Sequence, residues 1–359
     1  MHVVLAAGGT AGHIFPALNT AAALRELRPD VAITIIGTYR GLDQVLVPPS
    51  GFPLMMIDSV PFPRTFSADA LRFPHRMYRA VAEVKRFLSE HPAHAVVGFG
   101  GYASAPVYVA ARARRVCTIV HEANSTAGLA NRLGARLTRN IALNYPGVLP
   151  HGRVIGMPLS ASIADLDRAH LQTPAREYFG LPSTGPVLLV FGGSQGAQSM
   201  NATVTEALPA LVSAGISVLH AVGPSNAPSI DILDTADSVY RAVPFIDRMD
   251  LAYAAADLSI NRAGAMTVAE IASTGLPSIF VPLPIGNGEQ ERNAHALVEA
   301  GGALMCRQQD FSPSWVTSTV IPLARDTSRL ASMSTAVQAG SYRGAAQELA
   351  HWALACERD

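Results

Sequence analysis

The sequence predicts an α/β protein made of two Rossmann-like domains, each a doubly wound parallel sheet, that face one cleft. Three observations predict this architecture. Apolar strand-like segments alternate with helical patterns along the chain, which is typical of parallel sheets covered by helices on both faces. Glycine-rich loops directly follow three of these strands. The length of 359 residues exceeds the roughly 250–300 residues at which a single core usually stops growing.

Strands and helices can be assigned in order along both halves. In the first half we predict strands at His2–Ala7, Val31–Gly37, Ala95–Phe99, Val116–Val120 and Asn140–Leu143, and amphipathic helices at Pro16–Leu27 and Met77–Leu88. The second half carries predicted strands at Pro186–Phe191, Ile216–Ala221, Asp257–Ile260 and Pro277–Val281. Small polar residues and prolines mark 156–182 as the junction. We therefore expect domains at 1–158 and 159–341, and a final helix over about 342–356 that could dock on either domain.

Composition excludes several classes of protein. Apolar residues make up 49% of the chain, but no run of about 18 apolar residues indicates a membrane span. A strand begins almost at the first residue and leaves no room for a signal peptide. Cys117, Cys306 and Cys356 are odd in number and widely spaced. They argue against a disulfide framework or a zinc site, and they fit a reducing cytoplasm.

Charge is unevenly distributed although the net charge is zero. Up to Arg153 there are 16 Arg and Lys against 8 Asp and Glu, and beyond it 11 against 19, so the two parts carry about +8 and −8. This asymmetry predicts that the first half meets an anionic partner. A solvated surface on both halves is the alternative.

The three glycine loops predict phosphate binding. They are Gly8-Gly9-Thr10-Ala11-Gly12-His13, Gly98-Phe99-Gly100-Gly101-Tyr102 and Gly192-Gly193-Ser194-Gln195-Gly196-Ala197. Glycine lets backbone N–H groups approach a ligand, and the helix that follows points its positive dipole end at the same place. Tight packing of strand against helix could also require glycine in any one of them.

Two polar segments of the second half follow strands. In Arg262–Glu270, a helix N-terminus could face a diphosphate while Glu270 accepts hydrogen bonds from ribose hydroxyls. The competing interpretation is a capping box formed by Thr267 and Glu270. The loop and helix start at Pro282–Ala294 could bind sugar hydroxyls or could simply be a polar surface loop.

Candidate bases lie in the first half. His13 closes the first glycine loop at a helix start, where the dipole disfavours the charged imidazole and keeps it available as a base, while a purely structural histidine is the alternative. His121, Glu122 and Asn124 follow a strand and could supply a base, sugar contacts or only a turn network. The Asp165-Leu166-Asp167 pattern is rejected as a metal site because it lies in the junction and its carboxylates would not converge.

The segment Phe62–Leu88 interleaves apolar and basic residues and predicts contact with an anionic membrane surface. Packing in the core with snorkelling arginines is the alternative, and no nucleic-acid motif accompanies the segment. We expect the contact through Phe73, Met77, Tyr78, Arg72, Arg76 and Arg79.

Taken together, the motifs resemble the MurG glycosyltransferase family of bacterial peptidoglycan synthesis nearly end to end. The segments that carry the resemblance are GGTAGHIFPA, GFGGY, HEAN, GGSQGA, PFIDRM, RAGAMTVAE and GNGEQERNA, in the family's order and spacing. The resemblance implies a GT-B fold and an inverting, metal-independent reaction without cofactor. In this reaction, N-acetylglucosamine passes from UDP-N-acetylglucosamine to the 4-hydroxyl of lipid-linked N-acetylmuramoyl-pentapeptide. It further implies a peripheral protein on the cytoplasmic face of the membrane, with division or elongation proteins as further partners.

The resemblance also implies residue roles. Donor contacts would come from Thr10, Asn124, Ser194, Ile246, Ala265, Met266, Thr267, Glu270, Glu289 and Gln290. Acceptor contacts would come from Gly9, Thr10, Gly12, Gly100, Gly101 and Tyr102. His13 is the first candidate for the catalytic base and Glu122 the second. Loop and helix N–H groups would stabilise the leaving UDP in place of a metal.

Two alternatives from other classes stay open at this point. A UDP-N-acetylglucosamine epimerase can share the fold but would need no membrane patch. A non-catalytic sugar-nucleotide-binding scaffold would lack donor contacts or the base. Ser160 and Ala263, which depart from the arginine and the serine common in the family, point in that direction.

Overall fold

The computed structural model describes residues 1–62, 68–193, 197–224, 238–284, 288–339 and 341–356. The chain forms two compact units. The N-terminal unit comprises Met1–Ser160 and Tyr342–Asp359, and the C-terminal unit comprises Ala161–Ser341. The sequence predicted a boundary between 158 and 159 and left the docking of the final helix open; in the structure that helix groups with the first unit.

The N-terminal unit is built around a seven-stranded sheet in which every pairing is parallel, in the order β3-β2-β1-β4-β5-β6-β7. Its strands are β1 His2–Ala6, β2 Ala32–Thr38, β3 Leu54–Ile57, β4 Ala95–Gly98, β5 Cys117–Glu122, β6 Ile141–Leu143 and β7 Arg153–Val154. Its helices are α1 Ala11–Leu27, α2 Asp43–Leu46, α3 Ala68–Glu90, α4 Gly101–Ala113, α5 Leu129–Leu137 and, after the second unit, α15 Ala345–Ala355.

Burial on both faces explains why the central strands are continuous apolar runs. Val3 and Leu5 of β1 pack into one core cluster and Val4 and Ala6 into another, and all four are completely buried. The period of two along a strand sends alternate side chains to opposite faces, so a strand covered on both sides has no polar face. The pattern in the sequence is therefore the direct consequence of helices packing on both faces.

Helix α15 completes the N-terminal core. Leu349, Ala350 and Ala353 are buried in the same cluster as α1 and β1. The structure joins Cys117 at the start of β5 to Cys356 just after α15 in a disulfide, with Cα atoms 6.1 Å apart. The prediction of no disulfide is wrong for this pair, because a separation of 239 residues gave no sign that the final helix returns to β5.

The described residues of the C-terminal unit repeat the architecture with a six-stranded sheet, all in parallel pairings, in the order β10-β9-β8-β11-β12-β13. Its strands are β8 Val187–Phe191, β9 Ser217–Ala221, β10 Tyr240–Val243, β11 Leu258–Asn261, β12 Ser278–Phe280 and β13 Ala303–Met305. Its helices are α6 Ala161–Ala164, α7 Arg168–Tyr178, α8 Gln198–Ser213, α9 Met249–Ala255, α10 Ala265–Thr274, α11 Glu289–Glu299, α12 Pro313–Trp315, α13 Ile321–Arg325 and α14 Thr327–Gln338.

The predicted parallel α/β architecture is confirmed in both units, with differences in detail. The predictions missed β3, β7, β10 and β13, which have two to four residues each and too few positions for a periodic pattern. Helix α1 begins at Ala11 and carries Pro16 inside it, where the prediction began. Helix α3 extends from residue 68 to 90 through Pro74, well beyond the predicted Met77–Leu88.

Candidate functional site

The first two glycine loops touch each other at the carboxyl edge of the N-terminal sheet. Gly8 follows β1, and Gly101 opens α4 after β4. A Cβ added to Gly101, whose φ is +75°, would collide with the Gly8 carbonyl oxygen. Only glycine allows this approach of one backbone to the other. The two predicted phosphate-binding loops therefore form one surface, with Gly9, Thr10 and Gly12 on one loop and Gly100, Gly101 and the half-exposed Tyr102 on the other.

His13 lies where these loops meet. Its Nδ1 is 3.0 Å from the Thr10 hydroxyl, and its ring packs on Gly100, where a Cβ would lie 3.2 Å from Nε2. Desolvation lowers the pKa of His13 to about 4. The imidazole is therefore neutral at physiological pH, as a base must be before it accepts a proton.

Glu122 is buried and fully engaged by the loop that follows it. Oε1 accepts from the backbone N–H of Asn124 at 2.9 Å and from its amide at 3.4 Å, while Oε2 accepts from Gly128 N–H and the Asn131 amide, both at 3.0 Å. Asn131 is held in turn by the Tyr108 hydroxyl. Burial raises the pKa of Glu122, and these hydrogen bonds oppose the rise. The carboxylate therefore serves as the hub of the turn network that the sequence left as an alternative.

The neighbouring histidine is also structural in its contacts. His121 is completely buried, and its Nε2 is 3.0 Å from the Gly156 carbonyl oxygen. Burial lowers its pKa to about 4. Asn124 is partly exposed and lies beside Glu122, which places the predicted sugar contact on a loop held from behind by a carboxylate.

Helix α10 provides the equivalent edge of the C-terminal sheet. Its N-cap is Gly264, which offers no side-chain cap, and Ala265, Met266 and Thr267 form the first turn. The N–H groups of a first turn have no partner within the helix. The capping-box alternative fails, because Thr267 stands inside the helix and Glu270 bonds elsewhere.

Glu270 is partly exposed one turn further along α10. Its Oε2 accepts a hydrogen bond of 2.7 Å from the hydroxyl of Tyr253, a buried residue of α9. Desolvation raises the pKa of Glu270 to about 7, although the Tyr253 hydrogen bond opposes it. The carboxyl group thus combines one neutral partner, partial exposure and an unusual ionisation near neutral pH, which suits a group that binds hydroxyls.

Helix α11 anchors the turn in front of α10. Gln290 accepts with Oε1 from the N–H groups of Ala263 at 3.2 Å and Leu283 at 2.9 Å, and the buried Asn293 donates to the Ala263 carbonyl. Arg262 donates to the carbonyls of Val281 and Pro282. Gln290 therefore bridges the two polar segments singled out in the sequence, while the adjacent Glu289 is partly exposed at the start of α11.

The structure describes only some of the remaining residues predicted to contact the donor. Ile246 is buried in the loop between β10 and α9. Ser194 lies outside the described residues, as do Gln195 and Gly196 of the third glycine loop. Within the described ranges, no group of three or more His, Cys, Asp or Glu side chains could hold a metal ion.

The described part of α3 separates the predicted membrane residues into two faces. Leu71 and Tyr78 are 86% and 73% exposed, and Arg72, Arg79 and Arg86 are exposed as well. Phe73 and Met77 are partly buried, and Phe73 packs on Phe62 with ring centroids 5.3 Å apart. Arg76 donates to the Ser59 carbonyl, so it is bound to its own unit and not directed to a partner. Among the described residues, no helix is long and apolar enough to cross a membrane.

Comparisons with known proteins match both units. The glycosyltransferase family 28 N-terminal domain matches residues 3–143 and the C-terminal domain of the same family matches residues 187–349. The chain belongs to glycosyltransferase family 28. It belongs within that family to the MurG transferases, as its relatives and a solved structure show.

The relatives cover the whole chain. A protein of Mycobacterium sp. (strain KMS) is 51% identical over 359 residues, covering 99% of this chain and 96% of its own length. One of Rhodococcus erythropolis (strain PR4 / NBRC 100887) is 47% identical, covering 99% and 94%. Both are named UDP-N-acetylglucosamine–N-acetylmuramyl-(pentapeptide) pyrophosphoryl-undecaprenol N-acetylglucosamine transferase. The crystal structure of Acinetobacter baumannii MurG matches with a TM-score of 0.78 at 26% identity, covering 98% and 99% of the two chains.

The family match confirms the predicted GT-B fold and the class of enzyme, a hexosyltransferase. Several residues of the two sheet edges escaped the sequence analysis. Asp43, Asn131, Tyr253 and Asn293 act through contacts with distant segments, and none stands in a glycine-rich loop. The one available signal was the placement of Asn293 within the polar segment Pro282–Ala294.

Proposed function

We propose that this protein transfers N-acetylglucosamine from UDP-N-acetylglucosamine to lipid-linked N-acetylmuramoyl-pentapeptide in peptidoglycan synthesis. The observation that carries the proposal is the edge formed by α10, where first-turn N–H groups that have no partner within the helix stand one turn from the partly exposed Glu270. A diphosphate fits the first feature and a ribose the second. The names of relatives that match over the full length support the same donor and acceptor. They do not favour an epimerase.

We assign the donor to the C-terminal unit. Ala265, Met266 and Thr267 would meet the diphosphate with their N–H groups, together with Ser194 of the third glycine loop. Glu270 would accept from the ribose, Ile246 would meet the uracil through its backbone, and Glu289 and Gln290 would face the sugar. Gln290 would use its amide N–H₂ for this contact, because its oxygen accepts from the N–H groups of Ala263 and Leu283.

We assign the acceptor to the joined glycine loops of the N-terminal unit. Gly9, Thr10, Gly12, Gly100, Gly101 and Tyr102 would lie along its diphosphate. His13 would take the proton of the acceptor 4-hydroxyl as it attacks the anomeric carbon from the side opposite UDP, which inverts that centre. The neutral state of its imidazole and its position where the two glycine loops meet support this role, whereas the four hydrogen bonds at Glu122 favour a positioning role there.

The leaving UDP acquires negative charge as the bond to the sugar breaks. N–H groups at the start of α10 would stabilise this charge, and no cofactor or metal enters the proposed reaction. One assay tests the function: UDP release on incubation with UDP-N-acetylglucosamine and a lipid-linked muramoyl-pentapeptide analogue. We expect release that depends on the acceptor and persists in excess chelator. A chain that releases no UDP with this acceptor would refute the function, and loss on chelation restored by magnesium would refute the leaving-group assignment.

The same acceptor requires a membrane contact, because a polyprenyl tail stays in the bilayer. We propose that the exposed face of α3 lies on the cytoplasmic leaflet, with Leu71 and Tyr78 at the interface and Arg72, Arg79 and Arg86 toward anionic headgroups. Division and elongation proteins would be further partners at the membrane.

Replacing Arg72, Arg79 and Arg86 with Glu should abolish flotation with anionic vesicles, because each basic residue near such a surface contributes about 1 kcal/mol. Donor affinity should stay unchanged, and wild-type binding should fall at high salt. Arg76→Glu alone is the matched control, since Arg76 is already bonded to Ser59. Equal flotation of the triple variant and the wild type would contradict the membrane contact.

A further inference from the structure

A buried carboxylate outside every glycine motif holds the first of these loops. Asp43 is the first residue of α2 and is completely buried. Its Oδ2 accepts from the backbone N–H of Gly9 at 2.9 Å. The Thr38 hydroxyl lies 3.4 Å from the same oxygen, but it donates its one hydrogen at 2.7 Å to the Arg40 carbonyl. The Gly9 amide is therefore the principal donor to Asp43.

The segment that carries Asp43 makes hydrogen bonds to both the N–H and the carbonyl group of Gly9. Leu42 N–H donates to the Gly9 carbonyl at 3.2 Å, next to the bond from Gly9 N–H to Asp43. Gly41 has a φ of +122°, and a Cβ there would lie 2.5 Å from the Cα and the carbonyl oxygen of Gly9. The turn before α2 can approach this closely only with glycine at 41.

The space for the carboxylate is shaped to its size. A Cβ at Gly37 would lie 2.6 Å from Oδ1 of Asp43. Oδ1 itself is buried and has no hydrogen-bond partner among the described residues. Desolvation raises the pKa of Asp43, because burial disfavours the charged form of the carboxylate. A fold that needed only apolar packing at this position would be better served by a side chain without charge.

From these contacts we propose that Asp43 is a positioning residue that holds the Gly9 peptide and thereby sets the loop carrying Thr10 and His13. Thr10 follows Gly9 directly and its hydroxyl is 3.0 Å from His13 Nδ1, so a displaced Gly9 peptide moves the group that orients the imidazole. The role in catalysis rests on the proposed function, in which this loop binds the acceptor. The hydrogen bond between Gly9 and Asp43 does not depend on the proposed function.

The first test measures the hydrogen bond between the Gly9 amide and Asp43. Amide hydrogen exchange at Gly9, followed by NMR, should be at least about tenfold faster in Asp43→Ala than in the wild type, because the amide loses a charge-assisted acceptor. Asp43→Asn should exchange at an intermediate rate, since its amide oxygen can still accept. Equal exchange in wild type and Asp43→Ala would overturn the proposal whatever the protein catalyses.

The second test measures the consequence. Asp43→Ala should lower kcat/KM for the acceptor by at least about tenfold and leave KM for UDP-N-acetylglucosamine within about twofold, with partial rescue in Asp43→Asn. Leu46→Ala, which weakens the packing of α2 but keeps the carboxylate, and Asp58→Ala, which removes an exposed one, are the matched controls. A loss in Leu46→Ala equal to that in Asp43→Ala, or a raised donor KM, would overturn the catalytic role. Wild type inactive with this acceptor would refute the proposed function alone, because the exchange test would still stand.

Discussion

The two sheet edges use their acidic side chains in opposite ways. In the N-terminal unit, Asp43 and Glu122 are buried, and their oxygens hold the backbone of the loops in front of them. In the C-terminal unit, side-chain amides and an arginine hold the corresponding turn, and Glu270 stays partly exposed and accepts, among the described residues, from the hydroxyl of Tyr253. Asp43 and Glu122 are buried carboxylates that accept from backbone N–H groups and support a loop, whereas Glu270 is partly exposed, accepts from a side-chain hydroxyl and is placed to bind a ligand.

This contrast favours His13 over Glu122 as the proposed base, and removal of His13 should have the largest effect. His13→Ala should lower turnover by about 10²–10⁴-fold, because general base catalysis contributes on this scale. Donor affinity, measured by calorimetry, should change little. Turnover that stays within a few-fold of wild type would move the base role away from His13 and reopen Glu122.

We expect Glu122 to contribute to the stability of the folded protein. Glu122→Gln turns an amide N–H₂ toward groups that themselves donate, and leaving buried donors unpaired costs about 1–3 kcal/mol each. We expect a loss of roughly 2–4 kcal/mol in the free energy of unfolding, measured with denaturant. Glu83→Gln, on the surface-facing helix α3, is the control. A stable Glu122→Gln variant with no turnover would instead mark a catalytic carboxylate.

Replacing Glu270 should change both the affinity for the donor and the dependence of that affinity on pH. Glu270→Ala should weaken UDP-N-acetylglucosamine binding by about 1.5–3 kcal/mol, the range for hydrogen bonds to a charged group. The pKa of Glu270 is about 7 in the free protein, and ribose hydroxyls favour the ionised form. Binding should therefore release a proton, and affinity should fall as pH drops below 7, by at most about tenfold per pH unit.

Calorimetry in buffers with different ionisation enthalpies measures both effects. Glu270→Gln, which keeps the shape and loses the titration, should bind weakly with no dependence on pH between 6 and 8. If the wild type also shows a flat profile in this range, Glu270 does not hold the ribose.

Much of the architecture was visible in the sequence because it depends on local order. Parallel strands buried on both faces are continuous apolar runs, and the glycine loops stand directly behind them. What supports the loops was not visible. Asp43 meets Gly9 across 34 residues, and the disulfide links residues 239 apart. Nothing near Asp43 or Cys356 in the sequence indicates its partner. Asp43 meets Gly9 because the sheet order brings β2 beside β1, and Cys356 meets Cys117 because α15 returns to the N-terminal unit.

The division of the N-terminal unit into two stretches of chain has a consequence for biosynthesis. Residues 161–341 leave the ribosome complete and can form their own sheet and core at once. The core of the first 160 residues is incomplete until α15 is made, because the apolar surface of α1 and β1 that covers Leu349, Ala350 and Ala353 has no cover before then. The unit that is translated first can therefore complete its core only after the whole of the second unit has been made.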